Sequence, residues 1–229
     1  MKICGLQKVT LLDYPGHVAA TVFIGGCNFN CPFCYNSSLI NNDADEVITE
    51  EEFFEYLGRR KGILDGVAIT GGEPLLHKEI VEFIRKIKAL GFKVKLDTNG
   101  SFPDVLEYLV NNNLVDYVAM DIKNTLDKYC LTAGCNININ NITRSIKFLI
   151  NSDIDYEFRT TVVREYHEIS DFIKIGELIK GAKKYFIQSY QYQESVRNKN
   201  LTPLKKDELL LCMRNVEKYV GFASLREID

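Results

Sequence analysis

Residues 25–36 read Gly25-Gly26-Cys27-Asn28-Phe29-Asn30-Cys31-Pro32-Phe33-Cys34-Tyr35-Asn36. The three cysteines follow the pattern C-x3-C-x2-C, and thiolates this close in sequence can converge on one metal centre. Zinc usually takes four ligands, often in two C-x2-C pairs. A cubane iron–sulfur cluster is also held by cysteine thiolates. Three local cysteines without an evident fourth indicate a cluster with one iron left open, and a zinc knuckle or three free thiols are the alternatives.

Composition narrows the class of protein. The chain has 229 residues, of which 46% are hydrophobic, and a formal net charge of −3. This length fits one large domain or two small ones. No linker, repeat or low-complexity tract marks a boundary, so we expect a single domain over residues 1–229. The small negative net charge argues against a nucleic-acid-binding protein that works through a basic face.

The N-terminal residues and the lengths of the apolar runs predict the cellular compartment. Residues 1–8 do not resemble a signal peptide, and no apolar run reaches membrane-spanning length. We therefore expect a cytoplasmic protein that binds no membrane. In the cytosol, clustered cysteines indicate metal or redox chemistry and not disulfides.

Hydrophobic patterning predicts alternating strands and helices after an opening hairpin over residues 6–17. The apolar run Val18–Ile24 suits a buried strand, and Thr49 with Glu52 fits a capping box that opens a helix. The remaining predicted strands are 66–70, 92–96, 115–120, 156–163 and 185–189, and the remaining helices are 80–90, 103–112, 141–151, 170–180 and 204–219. Six βα units predict an α/β fold with a parallel sheet and outer helices, either a barrel or a doubly wound sheet.

Each unusual polar segment directly follows a predicted strand. In parallel α/β folds, the loops at the carboxyl ends of the strands build the active site. The sequence therefore predicts one cavity lined by five segments: Cys27–Cys34, Gly71–Glu73, Asp97–Asn99, Asp121–Lys123 and the strand end near Gln188.

The cysteine motif with an aromatic residue before its last cysteine, here Phe33, resembles that of radical S-adenosylmethionine (SAM) enzymes. This resemblance implies an open, partial (β/α)6 barrel and a 4Fe–4S cluster bound through Cys27, Cys31 and Cys34. It implies that the fourth iron takes the amino and carboxylate groups of SAM. Phe33 would pack near the adenine, and a role as a core anchor of the loop is the alternative.

The segment Gly71-Gly72-Glu73 resembles the family's GGE segment, which holds the methionine ammonium of SAM. Glycines permit that close backbone approach. In isolation, Gly-Gly-Glu-Pro reads as an ordinary turn, and its position after the cysteine loop favours the functional interpretation.

Two further segments, Asp97-Thr98-Asn99-Gly100 and Asp121-Ile122-Lys123, resemble glycyl-radical enzyme activases such as pyruvate formate-lyase activating enzyme. By that resemblance, Lys123 pairs with the methionine carboxylate. The other cofactor-binding candidates are Asn36, Asn99 and, as ligands of a monovalent cation, Asp97, Thr98 and Asp121. The alternative is that Asp121 and Lys123 form a partly exposed ion pair of little energetic value.

Other polar residues carry weaker signals. Arg159 and Gln188 lie on predicted strands and are secondary candidates for cofactor or substrate contacts. The three histidines, His17, His77 and His167, lack ligand spacing and are expected at the surface or in turns. Cys130 and Cys135 are interpreted as incidental thiols, with a redox pair or a second cluster as the alternatives. The resemblance implies one cluster, because the eight-cysteine insertion of longer activases is absent.

Three further segments are Leu12-Asp13-Tyr14-Pro15-Gly16, Cys34-Tyr35-Asn36 and Met120-Asp121-Ile122-Lys123. With them, the chain over its whole length resembles the activating proteins of anaerobic ribonucleoside-triphosphate reductases. The implied reaction is reductive cleavage of SAM to a 5′-deoxyadenosyl radical, which removes hydrogen from a glycine of the partner reductase. A flavodoxin or ferredoxin would supply the electron. One alternative is a radical SAM enzyme acting on a small molecule or peptide, similar to carboxydeazaguanine synthase. The other is a non-enzymatic iron–sulfur electron carrier or zinc module.

Overall fold

The computed structural model describes residues 1–41 and 44–226. Its eight strands form one sheet in chain order, β1 to β8, and β1 does not pair with β8 among the described residues. The strands are β1 (Ile3–Thr10), β2 (Ala19–Ile24), β3 (Gly66–Gly71), β4 (Lys93–Thr98), β5 (Tyr117–Asp121), β6 (Asp155–Val162), β7 (Tyr185–Ser189) and β8 (Ala223–Arg226). This open α/β sheet confirms the predicted fold class.

The pairing of the strands separates the opening hairpin from the parallel sheet. β1 runs antiparallel to β2, with Gln7 opposite Thr21. β2, β3 and β4 then pair in parallel, as do β6, β7 and β8. An opening hairpin therefore exists, but it is longer than the predicted residues 6–17: its arms are β1 and β2, with a Pro-Gly turn between them.

Seven α-helices connect the strands in the described chain. They are α1 (Glu50–Gly58), α2 (Ile80–Ala89), α3 (Pro103–Asn111), α4 (Tyr129–Ala133), α5 (Ile139–Asn151), α6 (Asp171–Leu178) and α7 (Lys206–Glu217). The predicted capping box is confirmed, because Thr49 Oγ1 accepts from the Glu52 amide at 3.2 Å while Glu52 accepts from the Thr49 amide at 2.9 Å. No described helix has the length and apolarity needed to cross a membrane.

Two elements escaped the sequence prediction. Helix α4 has five residues and β8 has four. Elements this short complete too few periods of a helical or alternating pattern to be recognised. β8 also lacks buried positions, since each of its four residues is half-buried.

By its internal contacts the chain divides into two compact units. Unit 1 comprises residues 1–28, 38–98 and 104–118, and unit 2 comprises residues 29–37, 99–103 and the chain from Ala119 onward. In unit 1, Phe53 of α1 stacks on Phe83 of α2 with ring centroids 5.4 Å apart. In unit 2, the buried rings of Tyr156 and Phe158 lie 5.2 Å apart on β6. Each unit thus has its own apolar core.

Candidate active site

In unit 1, the end of β3 lies directly against the first cysteine of the motif. The amide of Glu73 donates to the carbonyl of Gly26 at 2.8 Å. A Cβ on Gly72 would lie 1.9 Å from that same carbonyl oxygen. Only glycine permits this approach. The Gly-Gly pair is therefore required by the backbone that carries Cys27.

Glu73 is a completely buried carboxylate, and it lies next to a second predicted site residue. Its Oε1 accepts hydrogen bonds from the amide of Leu75 at 3.1 Å and from the hydroxyl of Thr98 at 2.7 Å. Because β3 and β4 are parallel neighbours, their carboxyl ends bring these side chains together. Asp97, one residue earlier on β4, pairs with the buried ammonium of Lys95.

His77 also contacts the start of the cysteine loop. Its Nε2 lies 2.6 Å from the carbonyl oxygen of Gly25. Since a carbonyl only accepts, Nε2 carries the proton. His77 lies just after a short 3-10 segment, Pro74–Leu76, as its prediction as a turn residue requires. Its contact with Gly25 has no signal in the sequence.

In unit 2, Cys31 and Cys34 share one tight turn, since the Cys34 amide donates to the Cys31 carbonyl at 3.1 Å. Cys31 is buried, and burial raises the pKa of its thiol to about 11 although the nearby Lys123 charge lowers it. Burial likewise raises the pKa of Cys34. Both thiols are therefore neutral when no metal is bound, and a bound metal would release their protons.

The loop that carries these cysteines is fixed to α4. The Asn30 amide donates to the carbonyl of Ala133 at 2.9 Å, and a Cβ on Gly134 would lie 2.1 Å from the Asn30 carbonyl oxygen. Gly134 has a φ of 69°, in the left-handed region that glycine adopts most readily. This short helix, absent from the sequence prediction, is thus part of the support of the cysteine loop.

Phe33 packs into the core of unit 2. Its ring centroid lies 6.0 Å from that of Tyr166 and 6.4 Å from that of His167. These contacts support the interpretation of Phe33 as an anchor of the loop.

Asp121 and Lys123 form an ion pair at the end of β5 that includes a third charged residue. Lys123 Nζ lies 2.9 Å from one carboxylate oxygen of Asp121, and Arg159 Nε lies 3.0 Å from the other. Burial raises the pKa of Asp121, but the two cations outweigh it and hold that pKa at about 2. Burial lowers the pKa of Lys123, but the attraction of Asp121 outweighs it, so that the pKa is raised. Arg159, a secondary candidate in the sequence, is a full member of this network.

His167 lies at the end of a turn, since its amide donates to the carbonyl of Val163 at 2.9 Å, and this agrees with the prediction of a surface or turn position. Its side chain is buried, with 3% of the residue exposed. Its Nε2 lies 2.8 Å from the carbonyl oxygen of Lys123, and its Nδ1 accepts from the amide of Val163 at 3.2 Å. The burial of the ring and its contacts with the backbone have no signal in the sequence.

The remaining candidates occupy separate positions. Asn99 is buried, and its Oδ1 accepts from the amide and hydroxyl of Ser101 at 2.9 and 2.6 Å, which forms a turn after β4. The Asn36 backbone hydrogen-bonds to the Cys34 sulfur. Gln188 lies half-buried on β7. The amide of Cys135 donates to the carbonyl of Cys130 at 3.2 Å.

Within the described residues, no group of three or more His, Cys, Asp or Glu side chains is arranged to hold a metal ion. The assignment of a cluster to Cys27, Cys31 and Cys34 therefore depends on the spacing of the motif, on the chemistry of the thiols and on family membership.

Comparison with known proteins gives that membership. The Radical SAM superfamily profile matches residues 21–179. A Methanocaldococcus jannaschii protein, provisionally named a glycyl-radical enzyme activating enzyme, is 32% identical over 99% of this chain and 96% of its own length. A 7-carboxy-7-deazaguanine synthase of Methanospirillum hungatei is 30% identical over 64% of this chain and 59% of its own length.

The fold agrees with this assignment. Streptococcus suis SuiB, solved with bound S-adenosylmethionine, superposes with a TM-score of 0.69 at 13% identity. The superposition covers 90% of this chain and 52% of SuiB. Family membership also argues against the zinc-module and electron-carrier interpretations. The chain belongs to the radical SAM superfamily, whose enzymes use a 4Fe–4S cluster and S-adenosylmethionine.

Proposed function

We propose that the chain is a glycyl-radical enzyme activase and that its partner is an anaerobic ribonucleoside-triphosphate reductase. The observation that carries the proposal is the relative from M. jannaschii, which bears this type of name and matches nearly the full length of both chains. The Asp-Ile-Lys segment at the end of β5 supports it, because the sequence there resembles activases.

In this proposal Cys27, Cys31 and Cys34 bind three irons of one 4Fe–4S cluster. When bound, the cluster would supply the electron that cleaves SAM, so the bond-breaking chemistry belongs to the cofactors. A flavodoxin or ferredoxin is the proposed source of that electron. The residues of the chain bind and orient SAM.

Two groups of side chains supply the charges for that binding. Lys123 is held as a cation by Asp121 and is the proposed partner of the methionine carboxylate. Glu73 is a buried carboxylate with Thr98 and Leu75 as donors to one oxygen. A buried carboxylate favours a cationic partner, so Glu73 is the proposed partner of the methionine ammonium.

The first test is cofactor cleavage. The purified protein is reconstituted anaerobically with iron and sulfide, reduced and given SAM, and 5′-deoxyadenosine is measured. We expect product from the wild type and from the Cys130→Ala variant, and none from Cys31→Ala. A fully reduced wild type that holds its cluster and forms no product would refute the radical mechanism for this chain.

The second test is the partner. We expect a glycyl-radical signal by electron paramagnetic resonance when the protein, SAM and a purified anaerobic ribonucleotide reductase are combined. Cleavage of SAM without this signal would contradict the proposed partner, but it would still support a radical mechanism for this chain.

A second candidate is a radical SAM enzyme that acts on a small molecule. The observation that favours it is the 30% identity to a 7-carboxy-7-deazaguanine synthase, although the match covers only 64% of this chain. Conversion of that enzyme's substrate by this protein would establish the second candidate over the activase.

A further inference from the structure

A segment between β7 and α7 holds the cysteine loop from a distant part of the sequence. We call residues 190–198 the strap. The strap and residues 29–37 of the cysteine loop both belong to unit 2. The strap is exposed over most of its length but is anchored by Val196, which is completely buried. This anchor fixes the strap in place.

The strap contacts the cysteine loop at successive points. The Gln191 amide donates to the Tyr35 hydroxyl at 2.7 Å, and the ring of Tyr35 stacks on that of Tyr190 with centroids 6.0 Å apart. Two further hydrogen bonds join Ser37 Oγ to the Ser195 carbonyl and the Asn198 amide to the Pro32 carbonyl. The strap therefore follows the loop on both sides of Cys34.

Arg197 is the charged residue of this contact. Its Nη1 donates to Oδ1 of Asn30 at 2.6 Å, and its Nη2 donates to the Ser37 carbonyl at 3.3 Å. Asn30 precedes Cys31, and Ser37 lies three residues after Cys34. One planar guanidinium thus joins the two flanks of the segment that carries both cysteines, which a lysine ammonium cannot reproduce.

The charge of Arg197 also reaches the cysteines. Its guanidinium is bonded to Asn30, the residue before Cys31, and to Ser37, three residues after Cys34. Lys123 is already paired with Asp121. Reduction of a cluster adds an electron, so a nearby positive charge favours the reduced state.

We propose that Arg197 is a positioning residue of the iron–sulfur site, which clamps the cysteine loop and favours the reduced cluster through its charge. This inference rests on the proposed cluster at Cys27, Cys31 and Cys34. It adds a residue outside the motif to the control of that cluster.

The test compares the reconstituted wild type with Arg197→Gln, Arg197→Lys and Arg214→Gln, the last an exposed arginine of α7. A chelator should remove iron from oxidised Arg197→Gln about 2–5-fold faster than from the wild type, the range for an exposed charged contact. The reduction potential of Arg197→Gln should become more negative, while Arg197→Lys should keep the wild-type potential. Arg214→Gln should match the wild type in both measurements.

Asn30→Ala provides a further check on the clamp. If Asn30 and Arg197 act as a pair, the double variant should release iron no faster than the faster single variant. The inference would be overturned if Arg197→Gln had the iron-release rate and the reduction potential of the wild type. It would also be overturned if Arg214→Gln changed both quantities as much as Arg197→Gln does.

A measurement without the cluster separates this inference from the proposed function. Amide hydrogen exchange in residues 29–37 of the iron-free protein should be faster in Arg197→Gln than in the wild type. Unchanged exchange would overturn the clamp. A wild type that never binds a cluster would instead refute the proposed function.

Discussion

Nε2 of His167 donates a hydrogen bond of 2.8 Å to the backbone carbonyl of Lys123. The carbonyl only accepts, so the proton lies on Nε2, and Nδ1 is left to accept from the Val163 amide. The neutral ring thus satisfies two backbone groups and faces Phe33 of the cysteine loop. It links the end of β5 to that loop within unit 2.

This arrangement predicts a pH-dependent stability. Burial lowers the pKa of His167 below its ordinary 6.5, against the opposing effect of its backbone hydrogen bonds. The His167 ring therefore binds a proton more readily in the unfolded chain than in the folded one. Its contribution to the free energy of unfolding is fully present above pH 6.5 and is lost as the pH falls below that value. In urea titrations, His167→Gln should be less stable than the wild type by about 1–2 kcal/mol at pH 7.5.

The same variant supplies the control for this pH dependence. The stability difference between wild type and His167→Gln should narrow as the pH falls towards 5, because only the wild type has this buried ring to protonate. The other two histidines contribute equally to both proteins. A constant difference from pH 5 to 8 would contradict the assignment.

A side chain at Gly72 should disrupt the backbone beneath Cys27. Its Cβ would lie 1.9 Å from the Gly26 carbonyl oxygen, so one strand end must move. We expect Gly72→Ala to lower the free energy of unfolding by about 2–4 kcal/mol. Gly58→Ala is the matched control, since a Cβ there meets nothing within 4 Å. Equal melting temperatures of Gly72→Ala and Gly58→Ala would show that the contact between residue 72 and the Gly26 carbonyl is not tight.

The hydroxyl of Thr98 should stabilise the buried carboxylate of Glu73. Removing it in Thr98→Val takes a 2.7 Å hydrogen bond from a group with no access to water. The expected loss is about 1–3 kcal/mol of unfolding free energy, measured by urea titration. Thr98→Ser keeps the hydroxyl and should recover most of this loss. Equal losses in both variants would point to packing of the methyl group.

Lys123 should contribute to SAM binding. We expect Lys123→Met to weaken SAM binding by the reconstituted protein at least about tenfold, the effect of losing one charged hydrogen bond. Equilibrium dialysis measures this, and the iron content of each preparation shows whether the cluster is intact. Lys174→Met, on the exposed face of α6, should bind SAM as the wild type does. Unchanged affinity in Lys123→Met would remove Lys123 from the site.

Most of the fold follows from local sequence signals. The run Val18–Ile24 predicted β2, which spans Ala19–Ile24, because a strand buried on both faces needs continuous apolar residues. Hydrophobic patterning predicted a helix over residues 80–90, and the residues spaced three and four apart in α2, Ile80, Phe83, Ile84 and Ile87, are all buried. Helix α4 and strand β8 were missed because they are too short to show a period.

The sequence by itself predicted the chemistry of the loop, because three thiols within eight residues can converge on one metal centre. It also contained the glycine pair Gly71-Gly72, which the backbone next to Cys27 requires. Only the tertiary structure decided which distant residues surround that loop. Asn30 and Arg197 are 167 positions apart, and His167 reaches Lys123 across 44. Such contacts depend on how the chain packs, and no local pattern of residues encodes them.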